Sequence, residues 1–165
     1  PPLFNALSTE VAGKVVYLLF DVPLVLVLAL ILRPEMELTP LNALVFIPAL
    51  LLAWLLRFFW GYWLALLAFW AARADALLAV QDSLIFLLAG QVAPIALLPD
   101  VLQIAAKVLP FRYMVSFPVE VFVGQLSPIE LATGVAIQLA WLLIAVGLSA
   151  VMWRAGVRRY SAVGG

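Results

Sequence analysis

From residue 131 to residue 153 the chain carries not one Asp, Glu, Lys or Arg. A helix needs roughly 20 apolar residues to cross a hydrocarbon core, and helices buried in soluble proteins rarely reach that length without a polar face. Three further apolar runs, at 12–32, 41–72 and 76–98, fill most of the remaining 165-residue sequence. The expected fold is therefore all-α, a polytopic transmembrane bundle of four spans in a single domain over residues 1–165.

Charge and reactive side chains narrow the function classes. Nine basic and nine acidic residues, most of them in short segments between the runs, leave no net charge, so there is neither a surface for nucleic acid nor a polybasic lipid-binding cluster. No cysteine and no histidine occur. Their absence removes disulfides, thiolate nucleophiles, the usual zinc sites and imidazole acid–base chemistry. An intramembrane serine protease would lack its base, and an aspartyl protease needs two facing carboxylates where only Asp21 lies well inside a span. No metal-ligand cluster or phosphate-cradling glycine loop is present. Catalysis by this chain alone is not expected.

Along the chain, the first run is interrupted by Lys14, Asp21 and Pro23. A connector at 33–40, with two prolines and three charges, stops that helix. Thr39 and Pro40 then supply a cap and a first-turn proline for the second helix, whose run at 41–72 is long enough to tilt or extend beyond the membrane. The third run carries Asp82 and Gln91 and meets Pro94 and Pro99, which favour a bent or broken end. Residues 99–128 are too polar and proline-rich to span, yet too apolar for an ordinary loop. Apolar positions on a helical spacing predict short helices at 100–109 and about 115–123, the second ending at Gly124, as re-entrant or interfacial pieces. Lys and Arg near the span ends, above all Arg154, Arg158 and Arg159 after Trp153, place both ends of the chain in the cytoplasm.

Few residues offer chemistry. Asp21 and Arg57 are ionisable groups inside spans, expected to meet across antiparallel neighbours either as a substrate-path or gating ion pair or as a structural pair, unless Arg57 snorkels instead; Asp82 reads as solvated near the inner surface. Trp54, Phe58, Phe59, Trp60, Tyr62 and Trp63 crowd the second span at a depth interfacial belts do not explain, and could line a path or pack against other helices. Ala136, Ala140, Ala145 and Ser149 could seat a neighbouring helix. In the 99–128 segment, Arg112 and Glu120 are awkward in lipid unless they meet each other or water.

The stretch Leu109-Pro110-Phe111-Arg112-Tyr113-Met114-Val115-Ser116-Phe117-Pro118-Val119-Glu120, the following Gly124-Gln125-Leu126-Ser127 and the ending from Gly156 to Gly165 closely resemble the permease subunits of bacterial ATP-binding-cassette type 2 exporters. The resemblance extends over essentially the whole chain. It implies a six-span permease whose first two spans precede this sequence, with two short external helices between its fifth and sixth spans. It further implies a bacterial plasma-membrane location, a second permease copy or paralogue enclosing the path, and a separate ATPase subunit that binds ATP and magnesium, so that no cofactor belongs to this chain. The residues expected to matter fall into three groups. Leu3, Phe4, Leu7 and Glu10 are candidates for ATPase coupling, Asp21, Arg57, Trp60 and Trp63 for the translocation path, and Phe111, Arg112, Tyr113 and Glu120 for the external helices. The competing expectation is a non-transporting membrane scaffold that uses the same helices only for packing.

Overall fold

The computed structural model describes residues 39–70, 74–91, 95–124 and 126–163, together with scattered positions between 4 and 31. The chain divides into two units, Pro1–Met36 and Glu37–Gly165. Every described position of the first unit is helical, and no strand occurs among the described residues. The protein is an all-α membrane protein. Two of its helices, Pro40–Phe69 and Pro128–Arg158, are long and apolar enough to cross a bilayer.

Helix α1 (Pro40–Leu66) begins where local chemistry says it should. The Thr39 side chain accepts a hydrogen bond from the Asn42 amide at 3.2 Å, and Pro40, which has no N–H to satisfy, occupies the first turn. A single 3₁₀ turn, Leu67–Phe69, finishes it. Its 27 residues give a length of about 40 Å, more than the roughly 30 Å hydrocarbon core.

Helix α2 (Ala74–Leu88) stops at Leu88, so the far end of the third run is broken, as its prolines lead one to expect, and the break comes well before residue 98. Gly90 adopts φ 74°, a left-handed conformation that an L side chain rarely accepts, and only a 3₁₀ turn, Ile95–Leu97, is described before Pro99. Fifteen residues make about 22 Å of helix, short of a full crossing.

Residues 100–123 form a hairpin of three short helices: α3 (Asp100–Val108), α4 (Phe111–Met114) and α5 (Ser116–Val123). The outer two match the expected pieces, and α4 is an additional turn at their junction. Gly124, with φ 83°, closes α5 as a left-handed cap. The hairpin lies alongside the long helices. Its turn residue Phe111 packs edge-on against Trp60 of α1, and Trp141, roughly 20 Å along the last helix from its start, donates its indole N–H to the Val108 carbonyl at 3.1 Å.

Breaking helices beside a membrane leaves carbonyls without intrahelical donors, and each must find another partner. Side chains supply them here. Ser116 Oγ donates to Ala89 O just past α2, Tyr113 Oη to Lys107 O and Trp141 Nε1 to Val108 O at the end of α3, and Gln138 Nε2 to Tyr113 O in α4.

The final helix, α6 (Pro128–Val163), has 36 residues and a length of about 54 Å, more than a single bilayer thickness. Ser127 and Glu130 cap it reciprocally. The Glu130 carboxylate accepts from the Ser127 amide at 2.9 Å and hydroxyl at 2.7 Å, while Ser127 Oγ accepts from the Glu130 amide at 3.3 Å. Ser127→Ala removes one side of this box and should lower the stability of the purified protein by about 1 kcal/mol. A melting curve that coincides with the parent's would show that α6 starts independently of its cap.

Helices α1 and α6 run parallel. Ala49 meets Gln138, Phe59 meets Ser149 and Phe69 meets Trp153, so contacts advance in step along both chains. Small residues at the seam let the backbones approach: Ala49, Ala53 and Ala145 are fully or almost fully buried, and the Phe69 ring lies against Gly156. Of the four small residues expected to seat a neighbour, Ala145 and Ser149 do so, whereas Ala136 and Ala140 are exposed. Large apolar side chains such as Leu44, Ile47, Leu143 and Val151 point outward, the arrangement a lipid environment requires.

Candidate functional site

The hairpin junction brings together the third group of expected residues. Pro110 starts α4, which delivers Arg112 toward α5, and Glu120 sits one turn from the Gly124 cap. Arg112 and Glu120 form a two-point ion pair, with Nη2 at 2.6 Å from Oε2 and Nε at 3.3 Å from Oε1. Both side chains are only about one-fifth exposed, at 22% and 21%. A paired geometry of this kind satisfies two charges that would be costly singly in an apolar surrounding. The Arg112 guanidinium also lies 5.8 Å from the centre of the Tyr113 ring. Phe111 and Tyr113 are buried, Phe111 against Trp60 and Tyr113 against Phe117.

Beneath this junction lies a residue that hydropathy does not single out. Gln138 is fully buried in the uncharged run of α6, and its Nε2 donates to Ala49 O on α1 at 3.0 Å and to Tyr113 O on α4 at 2.9 Å. The signal for it in the sequence is an amide inside an otherwise apolar span, since such groups are expensive unless bonded. Gly134, one turn earlier, receives the Phe117 ring from α5. Nothing local in the sequence indicates that contact.

In the long helices, Arg57 pairs with Asp82 on α2 at 3.5 Å, a single looser contact between side chains that are 39% and 63% exposed. Asp82 is thus largely exposed and at the same time a loose ion-pair partner of Arg57. Asp21 lies outside the described residues. Gln81, buried on α2, lies over Gly61 of α1, one turn beyond Arg57. Its Oε1, like the indole nitrogens of Trp54 and Trp63, is buried without a hydrogen-bond partner among the described residues. Trp60 makes edge-on ring contacts with Trp63, Phe111 and Trp141, so in this arrangement the aromatic cluster packs α1 against the hairpin and α6. An open groove of about 400 Å³, lined by Thr39, Pro40, Asn42, Ala43, Phe46 and Phe122, runs between the start of α1 and the end of α5.

The candidates for ATPase coupling lie in the first unit. Phe4 is helical and exposed, whereas Leu3, Leu7 and Glu10 lie outside the described residues. Among the described residues no group of three His, Cys, Asp or Glu side chains could hold a metal ion.

Residues 3–164, almost the whole chain, match the family described as ABC-2 family transporter protein. No curated protein and no solved structure matches the chain.

Proposed function

This chain belongs to the ABC-2 transporter family and is a membrane permease component of an ATP-binding-cassette transporter, and on that basis we propose that it forms the substrate pathway of an exporter working by alternating access. ATP is bound and hydrolysed by a separate subunit, and a second permease, identical or related, completes the pathway. The observation that carries this reading is the hairpin α3–α5. A scaffold needs only spanning helices, whereas this chain devotes 24 residues, from 100 to 123, to a broken segment lying against α1 and α6 with its junction charges paired. Irregular backbone at membrane depth is tolerated where protein covers it or where it borders a cavity. On the outer side of the membrane such a segment roofs one end of a pathway.

We orient the chain by Arg154 and Arg158 near the C-terminal end of α6, with the hairpin outside and residues 3–10 inside. The ATPase then docks on the segment containing Leu3, Phe4, Leu7 and Glu10, at the cytoplasmic surface.

The two faces are separable by experiment. The full-length permease, affinity-tagged and co-expressed with its ATPase, should capture that subunit from detergent extracts. Leu7→Asp and Glu10→Lys should reduce capture severalfold, while Arg112→Gln leaves it unchanged. A reporter fused after Gly165 should read cytoplasmic and one inserted at Glu37 external. Capture that is lost equally from Arg112→Gln and Leu7→Asp, or an external Gly165 reporter, would refute the assignment of faces.

A further inference from the structure

We propose that Gln138 is the positioning residue that couples the hairpin to both long membrane helices, holding the α4 turn and α1 together through one side chain of α6. The hydrogen bonds of the other three carbonyl-capping side chains stay within the hairpin or link it to one neighbouring helix. Ser116 ties the hairpin to the end of α2, Trp141 ties it to α6, and Tyr113 binds within it. Gln138 alone among them reaches three elements, since it belongs to α6 and spends its two N–H groups on Ala49 O of α1 and Tyr113 O of α4.

The chemistry of the amide explains why this arrangement couples rather than merely packs. Hydrogen bonds weaken steeply as their angle departs from linear, and the two N–H bonds of one planar amide point in fixed directions. With donor–acceptor distances of 3.0 and 2.9 Å, α1 and α4 cannot separate without breaking one bond in an apolar interior, where an unmade bond is costly. The peptide that accepts at Tyr113 follows directly on Arg112, whose guanidinium holds Glu120. A displacement of α1 relative to α6 is therefore transmitted from Gln138 to the ion pair that closes the hairpin. Among the described residues the Gln138 Oε1 meets no hydrogen-bond donor, so the residue is held through its donors.

This inference deepens the reading of the hairpin as an outer roof, and its test needs no ATPase, so failure of subunit capture leaves it standing. Residues 1–165 hold no cysteine, so within them a single engineered one reports alone, and its labelling is read by mass spectrometry on the peptide that carries it. Val121 on α5 and Leu56 on α1 are both fully buried. In the purified full-length permease, labelling of Val121→Cys by a soluble maleimide should be about tenfold faster with Gln138→Met, which keeps side-chain length and removes both donors. Labelling of Leu56→Cys should not change. Gln138→Glu, held neutral by burial, retains one donor and should restore part of the protection. Unchanged labelling of Val121→Cys in the Met variant, or equal acceleration at Val121 and Leu56, would overturn the proposal. Should the Met variant fail to accumulate, labelling in the Gln138→Glu variant decides: a rate severalfold above the parent's at Val121→Cys with Leu56→Cys unchanged supports the coupling, and the parent rate at Val121→Cys overturns it.

Discussion

Gly134→Ala, the smallest substitution possible at that position, should destabilise this protein, while Gly147→Ala on the same helix should not. A methyl group at Gly134 would stand under 3.0 Å from three carbon atoms of the Phe117 ring, whereas one at Gly147 meets nothing within 4 Å. Replacing glycine by alanine inside a helix ordinarily gains up to about 1 kcal/mol from backbone entropy and helix propensity. At Gly134 that gain is opposed by overpacking, typically about 1–3 kcal/mol and more where the neighbour cannot move. Phe117 is 1% exposed and belongs to a helix fixed at both ends by the Ser116 hydrogen bond and the Gly124 cap. The ring has nowhere to go, so the clash wins. Melting of the purified protein should show Gly134→Ala several degrees below the parent, Gly147→Ala at or above it, and Phe117→Leu recovering part of the Gly134→Ala loss. Equal behaviour of the two alanine variants would mean that α5 does not pack on α6 as described.

The second large effect concerns the Arg112–Glu120 pair, and its signature lies in the comparison of single with double substitutions. Taking away one partner leaves a mostly buried charge uncompensated, which costs about 3–5 kcal/mol for fully buried pairs. With one-fifth of each side chain exposed, we expect about 2–3 kcal/mol for Arg112→Leu or Glu120→Leu, at or below the lower end of that range. Replacing both by leucine removes the desolvation cost along with the attraction, so the double variant should be more stable than either single one. Export should nevertheless fall in all three, because the hairpin junction has lost the contact that fixes α4 against α5. Single variants as stable as the parent would show that the pair contributes little to the hairpin. Full export by the double variant would remove it from the mechanism.

Short-range signals account for the parts of this fold that are legible in the sequence. Thr39 and Pro40 start α1, the prolines at 99, 110 and 128 punctuate the hairpin, and Gly124 ends α5, because caps and turns are decided within four or five residues of chain. Arg112 and Glu120, eight positions apart, can be matched because two opposite charges in an apolar segment have few alternatives. That the third run ends broken is legible in Pro94 and Pro99, but where it breaks is not, for the converse reason. Hydropathy stays high from 76 to 98, and it does not register that Gly90 takes a left-handed conformation.

That this chain lives in a membrane as helices, where those helices start, and that residues 99–128 break instead of spanning all follow from the order of its residues. So does the family resemblance, which the match over residues 3–164 confirms. The partners do not: Asp82 for Arg57, Phe117 for Gly134, and Ala49 with Tyr113 for Gln138 are set by tertiary packing. Gln138 and Ala49 are 89 positions apart. Over such separations one apolar run is equivalent to another in lipid, since all of them satisfy their backbones internally and all are greasy outside. Which helix lies beside which is settled by shape and by the few polar groups that must be bonded, and those become visible only when the helices are side by side.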